Sequence, residues 1–302
     1  MTRLSRREFV RLGAAGAAAP WVIEPAALGA AAVTAQEVVD RVRKAVGVAW
    51  TGDTVDGFKA GEPATVVTGI VTSSLATIDV MRRAVKSGAN LVVTAGPTFY
   101  SRADRATPPA GRSATLLPTD PVFAAKNDFI RANHLVVWRF SDHWRLRSPD
   151  PFVAGLAAAL GWTRYARPGD PSRLTVPAIT LAALAARVKS RLGGRGGVRA
   201  VGRPPTRVRT LGLLPGTKAI QDTVALLPKV DAVIAGEIRE WESSEYARDV
   251  VNAGHGKALI LVGRSLSEDP GMRVCADWLR TIVPEVQVGW LPAGDPYWRP
   301  TT

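Results

Sequence analysis

The chain has 302 residues, of which 46% are hydrophobic and 22% are charged. This composition is that of a folded globular protein, and it excludes a disordered or fibrous chain. The formal net charge is +13, and the single cysteine, Cys275, excludes an internal disulfide and a cysteine-rich zinc site, so we expect a buried thiol.

The amino terminus has the pattern of an export signal. Residues 5–10, with the sequence SRREFV, match the twin-arginine signal, and a weakly apolar stretch follows until Glu24 and Pro25 interrupt it. That stretch is too short to span a bilayer, and small residues continue to a cleavage site at Ala35. The sequence therefore predicts that residues 1–35 are a signal peptide and that the protein is exported across the cytoplasmic membrane, to a periplasmic or extracellular location. The alternative is a disordered basic tail.

Strand and helix patterns alternate along the rest of the chain, which indicates an α/β protein. Thr34 and Glu37 form a capping box that opens a helix through Val46. Ser73 or Ser74 is the expected N-cap of a helix that ends at Gly88. The other predicted elements of this half are strands at residues 66–71, 90–94 and 135–140 and helices at residues 121–132 and 152–160. Residues 103–119 are irregular and are expected to form a lid.

The second half continues the alternation. Thr180 is the expected N-cap of a helix that runs through Leu192. The further predicted strands are residues 198–201, 208–214, 230–235, 258–263 and 286–291, and the predicted helices are residues 218–227, 240–253 and 271–283. Residues 187–209 form a dense basic run without aromatic residues, and its glycine pairs indicate a solvated loop, so nucleic-acid binding is not expected.

Several short segments together resemble one known family. They are residues 88–94 (GANLVVT), 97–100 (PTFY), 142–144 (DHW), 236–242 (GEIREWE) and 267–272 (SEDPGM). With the strand and helix order around them, they resemble the Nif-three-like dinuclear metal-centre family, also called GTP cyclohydrolase type 2-like, over nearly all of residues 36–298. The resemblance implies two interlocked α/β lobes with mixed sheets flanked by helices: residues 36–150 with 256–302, and residues 151–255. It also implies a homohexamer.

The resembling family holds two divalent metal ions with histidines and carboxylates, and that pattern is broken here. The family's first ligand pair falls on Ala95 and Gly96, which carry no ligand side chain. Its next acid falls on Arg145, and its last histidine falls on Arg264. Glu268 alone keeps its type. We therefore expect no bound metal ion, with Glu268 as a vestige of the site.

Arginines at two former ligand positions suggest a different use of the same cleft. Guanidinium forks suit phosphate or carboxylate groups. The sequence predicts a metal-free pocket in which Arg145, Arg264 and Glu268 bind an anionic small molecule. The remaining predicted pocket residues are Ala95, Gly96, Thr98, Tyr100, Asp142 and His143.

Two alternatives stay open from the sequence. The first is a scaffold in which the Arg–Glu pairing only holds the fold together. The second is a metal-dependent hydrolase of phosphorylated or nucleotide-like small molecules, with a weak metal site at Glu268, Asp142 and His143. The sequence does not identify a catalytic residue.

Overall fold

The computed structural model describes residues 32–101, 104, 120–192 and 197–298. Residues 1–31 of the predicted signal peptide lie outside the described residues. The predicted lid also lies outside them, apart from residue 104. The strands, numbered in chain order, are β1 (Gly57–Ala60), β2 (Ile70–Ser73), β3 (Leu91–Thr94), β4 (Val136–Arg139), β5 (Ala166–Arg167), β6 (Asp170–Thr180), β7 (Arg199–Val201), β8 (Arg207–Thr217), β9 (Ala232–Glu237), β10 (Ala258–Leu261) and β11 (Val288–Trp290). The α-helices are α1 (Ala35–Ala45), α2 (Ile78–Lys86), α3 (Pro121–Ala132), α4 (Asp142–Arg145), α5 (Pro151–Ala159), α6 (Leu181–Arg191), α7 (Ile220–Leu226), α8 (Glu245–Asn252) and α9 (Arg264–Ile282).

The first sheet has the strand order β1-β4-β3-β2-β11, in which only β1 is antiparallel to its neighbour. Its central strands are buried on both faces, as the continuous apolar sequence of a parallel strand requires. Leu91 and Val93 point towards α1 and α9, while Val92 points towards α2 and α3. Cys275 of α9 is fully buried in the same core, which confirms the expectation for the thiol.

The second sheet is mixed, with the order β5-β6-β8-β9-β10-β7. Strands β8, β9 and β10 run parallel, and the outer strands pair antiparallel. One face packs on α5 and α6, and the other packs on α8. The two flanked sheets confirm the α/β class. Strand β10 pairs with β7 and β9 in this second sheet. The lobe boundary expected at residue 256 would instead place β10 with the first sheet.

Several predicted elements are confirmed and others begin elsewhere. The Thr34–Glu37 capping box, the bounds of α3 and the Thr180 cap are confirmed. The cap of α2 is Thr77 and not Ser73 or Ser74, because β2 continues through Ser73. Three strands, β1, β5 and β6, were not predicted.

The long helix α9 connects the two sheets, since it follows β10 and precedes β11. It was predicted to begin at residue 271 but begins at Arg264, and Pro270 lies inside it. A proline usually ends a helix because it cannot donate a backbone hydrogen bond to the residue four positions earlier. Here α9 packs on both sheets, and this packing stabilises the helix by more than the missing hydrogen bond costs.

No helix in the described part of the chain is both long enough and apolar enough to cross a bilayer.

Candidate functional site

The candidate site lies where strands of both sheets end against the start of α9. Gly96 follows β3, and α4 with Arg145 follows β4. Gly216 and Gly236, near the ends of β8 and β9, approach Glu268 and Ser267 of α9. The carboxyl ends of parallel strands are the usual place for ligand sites in α/β proteins.

Three predicted residues meet here and form an Arg145–Glu268–Arg264 cluster. Arg145 Nη2 donates to Glu268 Oε1 at 2.9 Å, and Arg264 Nε donates to Glu268 Oε2 at 3.0 Å. The Glu268 side chain is 3% exposed, while those of Arg145 and Arg264 are 27% and 23% exposed. The carboxylate is therefore enclosed, and both guanidinium groups keep an edge that solvent or a ligand can reach.

Arg145 is positioned by a short helix whose cap comes from far away in the chain. The carboxylate of Asp56 accepts backbone N–H groups from Ser141 and His143, at 2.6 and 2.9 Å. These bonds hold α4 in place at the end of β4. The guanidinium of Arg145 also packs 4.4 Å from the ring centre of Phe152 and contacts Asp150 at 3.3 Å.

Glu268 is positioned by a tight approach between α9 and the end of β8. The N–H of Gly216 donates to Ser267 Oγ at 2.9 Å, and that hydroxyl donates to the carbonyl of Arg264 at 2.7 Å. Gly216 has φ of +85°, and a Cβ atom there would lie 2.4 Å from Glu268 Oε1. Glycine is therefore required at this position on both conformational and steric grounds.

Two charged residues of the site were not anticipated from the sequence. Lys218 follows β8, and burial together with the nearby Arg145 lowers the pKa of its ammonium group. Within the described part of the chain, this group has no ion pair or hydrogen bond. Asp150 is the second, and burial raises the pKa of its carboxyl group although Arg145 opposes the shift. The sequence places Lys218 at the start of a helix, and it was therefore not predicted as a site residue. Only its position shortly after a predicted strand could have indicated that it lies near the site.

Gly96, in the loop after β3, has no room for a side chain. A Cβ atom on Gly96 would lie 2.4 Å from Leu75 Cδ2, 2.8 Å from the Ser74 carbonyl and 3.2 Å from Arg264 Nη2. Ala95 is fully buried, and its carbonyl accepts from Arg139 Nε at 3.2 Å. Gly96 thus lies against the Arg145–Glu268–Arg264 cluster and contributes backbone only.

Thr98 and Tyr100 contact a neighbouring group of buried charged residues, which consists of Asp104, Lys126 and Arg139. The carbonyl of Thr98 accepts from the ammonium of Lys126, which lies 4.8 Å from the Tyr100 ring centre. Asp104 accepts the backbone N–H of Thr98 and pairs with Arg139 at 3.7 Å. Thr98 is buried and Tyr100 is 60% exposed.

His143 does not line the cleft. Its ring is fully buried and stacks on Trp50 at a centroid distance of 3.7 Å. Nε2 accepts the N–H of Thr51 at 3.0 Å, and Nδ1 lies 2.8 Å from Asp56, so the imidazole is neutral with its proton on Nδ1. The prediction of His143 as a pocket residue was wrong, and the alternative of His143 as a metal ligand gains no support, because both nitrogens are used in the core. Asp142 is half-buried, and its Oδ2 accepts from Thr54 and Val55 at 3.0 Å.

The described side chains do not fit a dinuclear metal centre. No three of the described His, Cys, Asp and Glu side chains lie close enough together to hold a metal ion. The segments that the structure does not describe contain only two residues of these types, Glu8 and Glu24. Two metal ions would need a larger set of imidazole and carboxylate ligands than Glu268 provides.

Comparisons with known proteins show the fold. No protein-family model matches the chain, and no protein with a curated description matches it. The structure of Staphylococcus aureus hypothetical protein SA1388 matches with a TM-score of 0.67 and 16% identity, over 89% of this chain and 100% of that one. A Bacillus cereus protein related to NIF3 matches with a TM-score of 0.67 and 13% identity, over 89% and 100%. The protein ybgI, described as of unknown function, matches with a TM-score of 0.64 and 19% identity, over 88% and 100%. The chain therefore has the fold of these structures.

Proposed function

We propose that this protein is an exported, oligomeric member of the Nif-three-like family that binds an anionic small molecule with arginines in place of metal ions. The shared fold and the segments quoted above support the family. The twin-arginine pattern supports export, and the family resemblance supports a hexamer.

Light scattering on the purified protein tests the proposed assembly, and a monomer at micromolar concentration would contradict it.

The observation that carries the proposal is that two guanidinium groups share one enclosed carboxylate. Arg145 and Arg264 both pair with Glu268, and Arg145 also contacts Asp150. Lys218 is a further cation near Arg145, with Asp222 and Asp150 as acidic neighbours. Both guanidinium groups are about one quarter exposed, so each has donors left for a ligand oxygen. The start of α9, a helix of 19 residues, adds a further preference for negative charge.

The metal-dependent hydrolase gains no support from the described side chains. Its weak site would need His143, whose nitrogens already bind Thr51 and Asp56. We therefore derive no reaction step through a metal ion. A pure scaffold remains the competing explanation for the Arg145–Glu268–Arg264 cluster, and ligand binding separates the two.

Calorimetric titration of the full chain with inorganic phosphate tests the proposal. We expect saturable binding at low ionic strength that weakens as salt screens the cleft. Arg145→Met and Arg264→Met should each weaken binding about tenfold or more, because each removes a charge-assisted hydrogen bond. Glu268→Gln should strengthen binding, since it removes the carboxylate that competes for both guanidinium groups.

The control is Arg131→Met, at an exposed arginine near the end of α3 that pairs only with Asp128 among the described residues. It should leave phosphate binding unchanged. A scaffold predicts the opposite pattern: no saturable phosphate binding in the wild type, and a loss of stability in the Arg145 and Arg264 variants. That pattern would overturn the proposal.

A further inference from the structure

A second cavity, of about 640 Å³, lies on the other side of α9. Its size is within the range of pockets that hold small organic molecules. Leu266, Pro270, Arg273 and Asp277 of α9 line it at helical spacing, so they form one stripe of the helix. Glu268 lies off that stripe, and the cavity shares no lining residue with the arginine cleft.

The cavity lies beside the close crossing of α5 and α9. Beyond that crossing, α5 carries only small side chains towards the cavity. A Cβ atom on Gly155 of α5 would lie 2.6 Å from the backbone nitrogen of Gly271, so the crossing requires glycine. Further along α5, Ala158 and Ala159 line the cavity. Their methyl groups leave the space between the helices unfilled.

Two arginines of the cavity are available to a ligand. Arg191 and Arg273 are exposed, and neither makes an ion pair or a hydrogen bond with any described residue. The guanidinium of Arg273 lies 5.7 Å from the ring centre of Trp290, which also lines the cavity.

The acidic residues in the wall are already engaged by the protein. Asp269 accepts the backbone N–H groups of Ser74, Ala293 and Gly294, at 3.0, 3.2 and 3.2 Å. Asp277 pairs with Arg280. Asp295 accepts the N–H of Tyr297 at 3.1 Å. Each acidic side chain of the wall therefore has a partner within the protein, whereas Arg191 and Arg273 have no ion pair or hydrogen bond with a described residue.

We propose that this cavity binds an amphipathic organic anion, with its apolar body against Leu192, Leu266 and Val274 and its headgroup at Arg191 and Arg273. The apolar walls supply affinity through burial, and the guanidinium groups select for a carboxylate or another anionic headgroup. This proposal is independent of the phosphate proposal, because no residue takes part in both.

Calorimetric titration of the full chain with decanoate, below the concentration at which it forms micelles, tests the inference. We expect saturable binding of one decanoate per chain, with decylamine at least tenfold weaker. Arg273→Met should weaken decanoate binding about tenfold and leave 1-decanol unchanged, since the methionine keeps the apolar stem and removes the charge.

A steric variant and a control complete the test. Ala158→Leu should weaken both decanoate and 1-decanol, because leucine fills the cavity without changing its charge and is well tolerated in a helix. Arg131→Met should change neither. Tighter binding of decylamine than of decanoate, the absence of saturable decanoate binding, or an Ala158→Leu variant that binds decanoate like the wild type would each overturn the inference.

Discussion

Glu268 is a single buried carboxylate shared by two guanidinium groups. This sharing determines how the stability of the site changes when one of the three charged groups is removed or neutralised. A buried charge that loses its partner is costly, on the order of 3–5 kcal/mol when burial is complete. Arg145 and Arg264 are partly exposed, so water can solvate them if the carboxylate is neutralised. The same partial exposure is what leaves them free to bind an anion.

Lys126 is a buried lysine whose ionisation is strongly affected by the fold. Its side chain is 2% exposed, and burial, opposed by Asp104, lowers the pKa of its ammonium group to about 8. Between pH 8 and the ordinary lysine pKa of about 10.4, the unfolded chain binds the proton more tightly than the folded chain. Stability therefore rises with pH across this window.

We predict that the free energy of unfolding of the wild type, relative to Lys126→Met, increases from pH 8 to pH 10.5. The increase has an upper bound of about 3 kcal/mol, at roughly 1.4 kcal/mol per pKa unit. Urea unfolding at several pH values measures it. Lys86→Met, at an exposed lysine of α2, should keep the wild-type pH dependence. Identical pH slopes for the wild type and Lys126→Met would contradict the prediction.

The residues that the sequence could identify are those that directly follow strands in the family pattern. Arg145, Arg264 and Glu268 were found in this way, and the structure brings them together. His143 was misjudged because its partners, Thr51 and Asp56, lie about 90 positions earlier, in a region where no strand was predicted. Long-range contacts of this kind leave no local pattern.

At the scale of elements, the turn at the end of β8 determines where Glu268 lies. Gly216 and Gly254 have the same φ of +85°, but only Gly216 has close neighbours. A Cβ atom on Gly216 would meet Glu268 Oε1, whereas a Cβ atom on Gly254 would have no such neighbour within 4 Å in the described part of the chain. The two glycines therefore form a matched pair for experiment.

We predict that Gly216→Ala destabilises the protein by about 1–3 kcal/mol more than Gly254→Ala. Both variants pay the cost of a left-handed alanine, roughly 1–2 kcal/mol. Gly216→Ala also displaces Glu268 from Arg145, which adds the cost of overpacking. Urea unfolding of both variants measures the difference, and equal destabilisation would show that Glu268 is not held against this turn.

The boundaries of elements were predicted less well than their order. The periodicity of α9 was recognised from residue 271 onwards, but Pro270 concealed its first two turns. The edge strand β1 and the strand β6, both half-buried, lack the apolar run that identified β2, β3 and β4. Their pairing with β4 and β8 stabilises them, which the sequence of a single strand does not reveal.

For the whole molecule, α9 is the element on which both proposals depend. It joins the two sheets, and it crosses α5 at Gly155 and Gly271. One side of α9 carries Arg264 and Glu268, and another carries the stripe that lines the second cavity. The fold class and most of the elements along the chain could be predicted from the alternation of patterns, whereas the cavity could not, because it arises from the packing of distant helices.

The chain as a whole also limits what metal chemistry is available to it. Its three histidines are His134, His143 and His255, and its one cysteine, Cys275, is fully buried. Burial strongly raises the pKa of the Cys275 thiol, which disfavours the thiolate that metal binding needs. In the cleft, the carboxylates of Glu268 and Asp150 are already paired with arginine.

The most direct test of the arginine-for-metal substitution is elemental analysis of the protein purified without chelators. We predict less than about 0.1 Mn, Fe or Zn per chain, because guanidinium groups occupy the positions that ligands of such ions would need. About two such ions per chain would contradict the substitution and the anion-binding function that rests on it.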